Sequence, residues 1–339
     1  MIEQLVGMQA QEPQNPYLAL WSRLDGFDPA ELSRLLAERH AVRAQLMRAT
    51  IHLVSARDCL ALHPITQPVL ARTFTSPWGK GLAGADVREV AAAGLELLAE
   101  RPRTRAELGA LLAPRWPDAD PKSLAHAVTF NTALVQVPPR GLWGETGQAT
   151  WAPVETWLNR ELHPNPTTDE VVLRYLAAFG PATVADIRTW SGLTGLREVI
   201  ERLRPQLRTF RDEQDGELFD PPGAPLPDPD TPAPPRFLPE YDNLVLSHAD
   251  RSRMFNALGP GGPFPQGRAI GALLVDGFYG ANWKLTEGDG AATLTIDGFV
   301  PQPGDEADAV DEILAEGTGL LEFLAPGASE RRVEFFPRV

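Results

Sequence analysis

Residues 87–100, VREVAAAGLELLAE, open the stretch that decides how this 339-residue chain folds. The run is strongly helical by its apolar spacing. Thr104 then caps a second helical run at 105–113 (RAELGALLA), and residues 122–133 (KSLAHAVTFNTA) supply a third. Leu134-Val135-Gln136-Val137 reads as a strand and leads into a Pro138-Pro139-Arg140-Gly141 turn. Helix, helix, helix, strand, turn, strand is the order of a winged helix.

Working outward, the same order returns downstream. DEVVLRYLAAFG at 169–180 stops at Gly180-Pro181, Thr183 caps VADIRTWSG at 184–192, and residues 195–203 form the candidate recognition helix. Residues 207–219 are the expected wing, with Asp215-Gly216 at its tip. Upstream, PAELSRLLAER at 29–39 carries Leu32, Leu35 and Leu36 behind a first-turn proline, as an amphipathic helix does. Residues 51–54 read as a strand, and Ser55 with Asp58 resembles a capping box that opens a helix over 56–62. Pattern alone therefore predicts at least two copies of one module, more than a single transcription-factor domain needs. Residues 221–235, PPGAPLPDPDTPAPP, can only be an extended linker or meandering loop. Beyond it the chain turns β-rich, with strands predicted at Asn243–Leu246, 269–275, 280–285, 292–296 and 332–336 and one helix at 306–323.

The formal charge of -14 argues against nucleic acid only as an average. Residues 1–210 hold 22 Lys+Arg and 22 Asp+Glu, so the acidity belongs entirely to the last third. A neutral array can still present a basic groove, with Arg43, Arg48, Arg72, Lys80, Arg103, Arg105 and Arg140 as candidate phosphate neighbours; the alternative is that they are solvated helix charges. One cysteine, Cys59, excludes an internal disulfide and fits a reducing cytoplasm. No signal peptide or transmembrane run is expected. The six histidines lack ligand spacing, so no metal is expected, and the 259–262 glycine run lacks the Lys-Ser/Thr of a phosphate loop.

Near the start, Gly7-Met8-Gln9-Ala10-Gln11-Glu12-Pro13 sets two amides around one apolar residue. Alone, Gln-x-Gln is a polar helix end or a capped turn. In context it is one of four blocks, with Arg48-Ala49-Thr50-Ile51-His52-Leu53-Val54-Ser55, Val137-Pro138-Pro139-Arg140-Gly141-Leu142-Trp143-Gly144, and Phe237-Leu238-Pro239-Glu240-Tyr241-Asp242-Asn243 through Ser247-His248-Ala249-Asp250-Arg251. Together, in this order and across almost the whole chain, they resemble the AlkZ/YcaQ superfamily of winged-helix DNA glycosylases. Gln-apolar-Gln resembles the AlkZ branch; the YcaQ branch carries Gln-apolar-Asp.

The resemblance implies an α+β fold of tandem winged-helix (helix-turn-helix) domains, three in number, followed by a C-terminal β-barrel-like domain. The expected divisions are 1–85, 86–160, 161–222 and 223–339. It also implies a monofunctional DNA glycosylase that acts on bulky or crosslinked N7-alkylguanine in double-stranded DNA and leaves an abasic site. Such an enzyme needs no cofactor and is expected to work as a cytoplasmic monomer. The alternatives are a non-catalytic winged-helix DNA-binding or regulatory protein, and a protein-interaction scaffold built on the acidic third. Family members carry a further helical stretch before the Gln motif, whereas Gln9 lies eight residues from Met1.

By the same resemblance Gln9 and Gln11 are the catalytic pair, Gln11 positioning water and Gln9 supporting water or sugar. An N7-alkylpurine leaves as a neutral molecule, so no strong general acid is required. Residues i and i+2 share a face on an extended segment but not on a helix, which predicts an extended or turn conformation here. Glu12 should project away from the pair and cap the following turn. Thr50 and His52 repeat the i, i+2 spacing, and the family carries Thr-apolar-His near its active site; otherwise His52 is a satisfied packing residue. Asp242 and Asn243 are expected either to bond backbone amides or to line the DNA channel. Arg140 and Trp143 stand at a wing tip to touch phosphate and sugar, or Trp143 fills the core.

Overall fold

A computed structural model describes residues 1–228, 230–255, 271–299 and 306–337. The chain divides into two compact units: Met1–Tyr17, Gly26–Ala224 and Leu246–Ala249 form one, and Leu18–Asp25, Pro225–Val245 and Asp250–Val339 the other. The glycine run at 259–262 and the first two residues of the strand expected at 269–275 lie outside the described residues.

The first unit begins with β1 (Met8–Gln9), α1 (Asn15–Trp21), α2 (Pro29–Ala37), β2 (Ala41–Gln45), β3 (Ile51–Ser55) and α3 (Ala56–Trp78). Next come α4 (Val87–Glu100), β4 (Arg103–Thr104), α5 (Arg105–Leu112), α6 (Pro121–Asn131), β5 (Leu134–Val137), β6 (Thr150–Pro153) and α7 (Val154–Leu158). α8 (Thr168–Phe179), α9 (Val184–Ser191), α10 (Leu196–Leu203), β7 (Arg208–Arg211) and β8 (Glu217–Asp220) complete it. Capping chemistry sets the boundaries. Asp28 accepts from Ala30 N ahead of a proline at the first turn of α2, and Thr104 with Glu107 and Thr183 with Asp186 form reciprocal capping boxes.

β1 to β6 make one sheet in the order β1-β3-β2-β5-β6-β4, antiparallel throughout. β2 and β5 pair through Arg43–Gln136 and Ala44–Val135, so strands from both sides of residue 86 share this sheet. β7 and β8 are a separate hairpin. One apolar core joins Val42, Val54 and Val135 of the sheet to Leu62 and Val69 of α3 and to Tyr175, Trp190 and Ile200 of α8, α9 and α10.

α3 corrects an expectation. A helix over 56–62, stopping before Pro64, becomes 23 residues with Pro64, Pro68 and Pro77 inside. Each interior proline removes one i→i−4 donor. At Leu60, the carbonyl that Pro64 cannot serve instead accepts from His163 N at 3.0 Å. Burial of Cys59, Leu62, Val69, Leu70 and Phe74 holds the remainder in line.

The second unit contains β9 (Arg236–Leu238), α11 (Asn243–Leu246), β10 (Gly271–Val275), β11 (Phe278–Gly288), β12 (Ala291–Phe299), α12 (Glu306–Leu324) and β13 (Glu330–Pro337), Leu246 itself belonging to the first unit. Its strands run β13-β12-β11-β10-β9, with β12 and β13 parallel and α12 supplying the crossover that parallel pairing needs. Ile313, Leu320 and Leu321 of α12 pack on Phe237, Leu273, Leu294 and Ile296. The expected barrel is, among the described residues, an open five-stranded sheet with β13 and β9 as its edges. Asn243–Leu246 is a helical turn, not a strand, because Asp242 Oδ1 accepts from Leu244 N at 2.8 Å and its carbonyl accepts from Val245 N.

Candidate active site

The Gln motif leaves a tight turn. Val6 and Gly7 have φ of 54° and 97°, and a Cβ on Gly7 would stand 2.6 Å from Val54 Cγ1, so glycine is required there. β1 then pairs with β3 in the register Met8–Leu53 and Gln9–His52. Register partners project to the same face of a sheet, which sets the Gln9 amide beside the His52 imidazole. Ala10 is fully buried; its N–H donates to Ile51 O at 2.8 Å and its carbonyl accepts from Arg43 Nη2 at 2.8 Å. The segment is extended and then bends, as the i, i+2 argument requires.

The turn joining β2 to β3 brings in a third side chain. Arg48 and Ala49 both take left-handed φ, 53° and 57°, each costing about 1–2 kcal/mol for a residue with a Cβ. Gln45 Nε2 donates to Ala49 O at 2.9 Å and Leu46 N to Thr50 O at 3.0 Å, which hold the turn. Arg48 is thereby directed inward. Its Nη2 donates to Gln9 Oε1 at 2.7 Å and faces His52 Nε2 at 3.4 Å, and its Nη1 donates to Trp190 O near the end of α9. His52 Nδ1 donates to Thr50 O at 3.0 Å, so Nε2 carries the lone pair. Burial, with the Arg48 charge beside it, holds the His52 imidazole down to about 3. Burial also lowers Arg48, to about 10, which leaves it charged at neutral pH.

Gln9 is buried, Gln11 is exposed and Thr50 is half-buried. Gln11 Oε1 accepts from Ile51 N at 3.3 Å, and Thr50 Oγ1 donates to Met47 O at 3.2 Å. Gln9 and His52 thus lie on β1 and β3, Gln11 in the bend after β1 and Thr50 in the turn before β3. An amide pair can bind water through both N–H and C=O, and a neutral imidazole nitrogen can accept a proton or a hydrogen bond. Among the described residues, the groups bonded to Gln9, Gln11 and His52 include one cation and no carboxylate.

The other expected site residues make contacts of their own. Asp242 and Asn243 belong to the second unit, where the buried Asp242 carboxylate accepts from Arg23 Nη2 at 2.6 Å and Arg23 Nη1 at 2.9 Å. Asn243 is buried as the first residue of α11. Arg43 is corrected from phosphate neighbour to buttress. It is 2 % exposed and donates to the carbonyls of Ala10 and Arg140 beneath the turn that follows β5. Arg103, also buried, donates to Leu97 O and pairs with Glu100; Arg105 stacks 4.8 Å over the Trp151 ring. Arg72 is exposed and donates to Gly192 O at 2.9 Å, and Lys80 is exposed. Arg140 donates to Gly147 O at 2.8 Å at the edge of its turn. Trp143 is half-buried, 5.0 Å from the Tyr17 ring, and its N–H donates to Ser33 Oγ. Glu12 is exposed and its carbonyl, not its side chain, accepts from Asn15 N in the following turn. Among the described residues no three His, Cys, Asp or Glu side chains group as metal ligands, and no helix is long and apolar enough to cross a membrane.

Gln9 at the end of a short edge strand and Gln11 just beyond it, near an imidazole kept neutral, can hold and orient a water. A family described as DNA glycosylase AlkZ-like matches residues 2–323, and the chain belongs to that family. Among solved structures it is similar to the Streptomyces sahachiroi DNA glycosylase AlkZ, at 21% identity and a TM-score of 0.74 over 99% of this chain and 92% of that one. At that identity the likeness is one of fold. No curated protein matches the chain.

Proposed function

We propose that this glycosylase hydrolyses the N-glycosidic bond of N7-alkylated purines in double-stranded DNA, including bulky and crosslinked N7-alkylguanine, and leaves an abasic site. The carrying observation is the composition of the site: Gln9 opposite a His52 held neutral, Gln11 bonded to Ile51 N, and, among the described residues, no carboxylic acid bonded to any of the three. An unmodified purine needs protonation to leave, and none of the described residues bonded to this cluster is a proton donor of suitable strength. A purine alkylated at N7 already carries the charge. What is then useful is a water held in line with the anomeric carbon of a sugar that becomes cationic in the transition state. Gln11, the exposed member, suits the water; Gln9, fixed from behind by Arg48, suits the sugar.

The reaction is read as monofunctional, because strand cleavage requires an amine that forms an imine with the opened sugar. None of the three lysines, Lys80, Lys122 and Lys284, is among the residues bonded to this cluster. The order α4-β4-α5-α6-β5-β6, with β4 beside β6, supports one winged helix. The order α8, α9, α10, β7, β8, with Ala182 bridging Phe219, supports another. Both suit a monomer that lies along duplex DNA in the cytoplasm. A crosslinked base cannot swing out of the duplex, so an open array suits it better than a closed base pocket.

The test is a duplex carrying one N7-methylguanine, incubated with the protein at neutral pH, with the freed base measured by chromatography against a control without protein, since hot alkali would break the strand at this base unaided. Wild type is expected to release the base above that control, while Gln9→Ala and Gln11→Ala bind the duplex and release none above it. A wild-type protein that binds but releases no N7-alkylguanine overturns the reading.

A further inference from the structure

Arg48 has the sequence position of a phosphate contact and the geometry of something else. Its Nη2 reaches Gln9 Oε1 at 2.7 Å and His52 Nε2 at 3.4 Å, and its Nη1 holds Trp190 O. Gly192, at the C-terminal cap of α9, packs on its backbone so closely that a Cβ there would stand 3.4 Å from Arg48 Cα and 3.1 Å from Val69 Cγ1. The guanidinium thus sits at the negative end of the α9 dipole, where a cation is favoured. Two of its nitrogens are directed into the protein by these bonds.

We propose that Arg48 is a positioning residue: by donating from one nitrogen to both Gln9 and His52, it fixes the Gln9 amide with its oxygen inward and holds His52 with Nε2 unprotonated. The proposal rests on the glycosylase reading and deepens it. Gln9 left alone has three side-chain torsions and two amide orientations. Clamped through Oε1, it presents its N–H donors outward, the polarity needed to hold the oxygen of a water or of the sugar. A misplacement of about 1 Å at such a group costs about 100-fold in rate. A phosphate contact behaves differently, since its loss weakens binding and reduces the slope of log K against log salt by about 1.

Full-length wild type, Arg48→Met and Arg48→Lys are compared in single-turnover release of N7-methylguanine, across enzyme concentration and salt. Positioning predicts that the maximal rate of Arg48→Met falls about 100-fold, with half-saturation within threefold of wild type and an unchanged salt slope. Lysine keeps the charge, but its single nitrogen cannot stand at both the Nη1 position that holds Trp190 O and the Nη2 position that serves Gln9 and His52, so Arg48→Lys falls at least tenfold. A maximal rate within threefold of wild type in either variant, or a salt slope lowered by 1 in Arg48→Met, overturns the proposal. Nitrogen-15 spectra of the His52 ring give a readout independent of catalysis and, in wild type, of any variant's folding. Wild type should show protonated Nδ1 and bare Nε2, and Arg48→Lys a mixture of tautomers. Protonated Nε2 in wild type overturns the proposal. If wild type releases no base but shows the expected tautomer and loses it in Arg48→Lys, the substrate reading fails and the positioning stands.

Discussion

Acid should unfold the first unit through two buried histidines before its carboxylates titrate. His52 is 1 % exposed and held down to about 3; His63, on α3, is 2 % exposed and held down to about 4. In both, burial is the leading cause, because it penalises the imidazolium. In the unfolded chain each titrates near 6.5. Below pH 6.5 the unfolded state therefore takes up protons that the folded state refuses. Stability is full above that pH and is lost as pH falls from 6.5 towards 4 and 3. At pH 5 each group lies about 1.5 pH units below its unfolded value, which at about 1.36 kcal/mol per unit is about 2 kcal/mol, or about 4 kcal/mol for the pair. That is a large part of the 5–15 kcal/mol typical of a domain. Urea unfolding at pH 8 and pH 5 and equal ionic strength, followed by tryptophan fluorescence, measures it. His52→Gln should remove between about a third and about half of the pH dependence, since half-buried His126 on α6, also held down to about 4 by burial, adds to the same slope. Equal stability at both pH values to within about 1 kcal/mol, or full pH dependence in His52→Gln, refutes the buried neutral imidazoles.

Three further expectations follow from single contacts. The buried Asp58 carboxylate accepts from Arg174 Nη1 at 2.8 Å and Nη2 at 2.6 Å, so Asp58→Ala leaves a half-buried guanidinium unpaired and should cost about 3 kcal/mol in urea unfolding. Gly7→Ala places a Cβ 2.6 Å from Val54 Cγ1 at a φ of 97°; it should cost about 2 kcal/mol and slow base release by moving Gln9, both measured on one preparation. Arg140→Ala at the turn after β5 should leave the maximal rate alone and lower the salt slope of DNA binding by about 1, checked by titrating duplex at several salt concentrations.

Much of the fold is legible because its boundaries are chemical. Asp28, Thr104 and Thr183 each place an oxygen where the first free N–H groups of a helix need one, and α2, α5 and α9 start at these caps. Legibility fails where distant chain supplies the missing partner. Pro64 reads as a helix end from local rules, and only the N–H of His163, about a hundred residues away, makes the interruption tolerable. Asn243–Leu246 has the apolar content of a strand, and the two bonds that Asp242 accepts, from Leu244 N and Val245 N, outweigh it.

The site divides along the same line. Gln9, Gln11, Thr50 and His52 are singled out in the sequence by the family resemblance; what the fold adds is that β1 lies beside β3, where register puts Gln9 opposite His52. Arg43 and Arg48 look alike in sequence, two arginines near an apolar strand, and the fold treats neither as a surface charge. Arg43 lies on β2 within the sheet, so its side chain is enclosed by the turn above it, where a Cβ on Gly141 would meet its Cδ at 2.6 Å. Arg48 is turned inward by two consecutive left-handed residues, neither of them glycine, asparagine or aspartate, the types that announce such a turn. Strain of this kind persists only where the surroundings over-determine it. Here they do so with the two acceptors, Gln9 and His52, that the chemistry needs held still. That coincidence of an unfavourable backbone with a doubly used guanidinium is a physical reason to place the arginine in the machinery of base release and not on the DNA backbone.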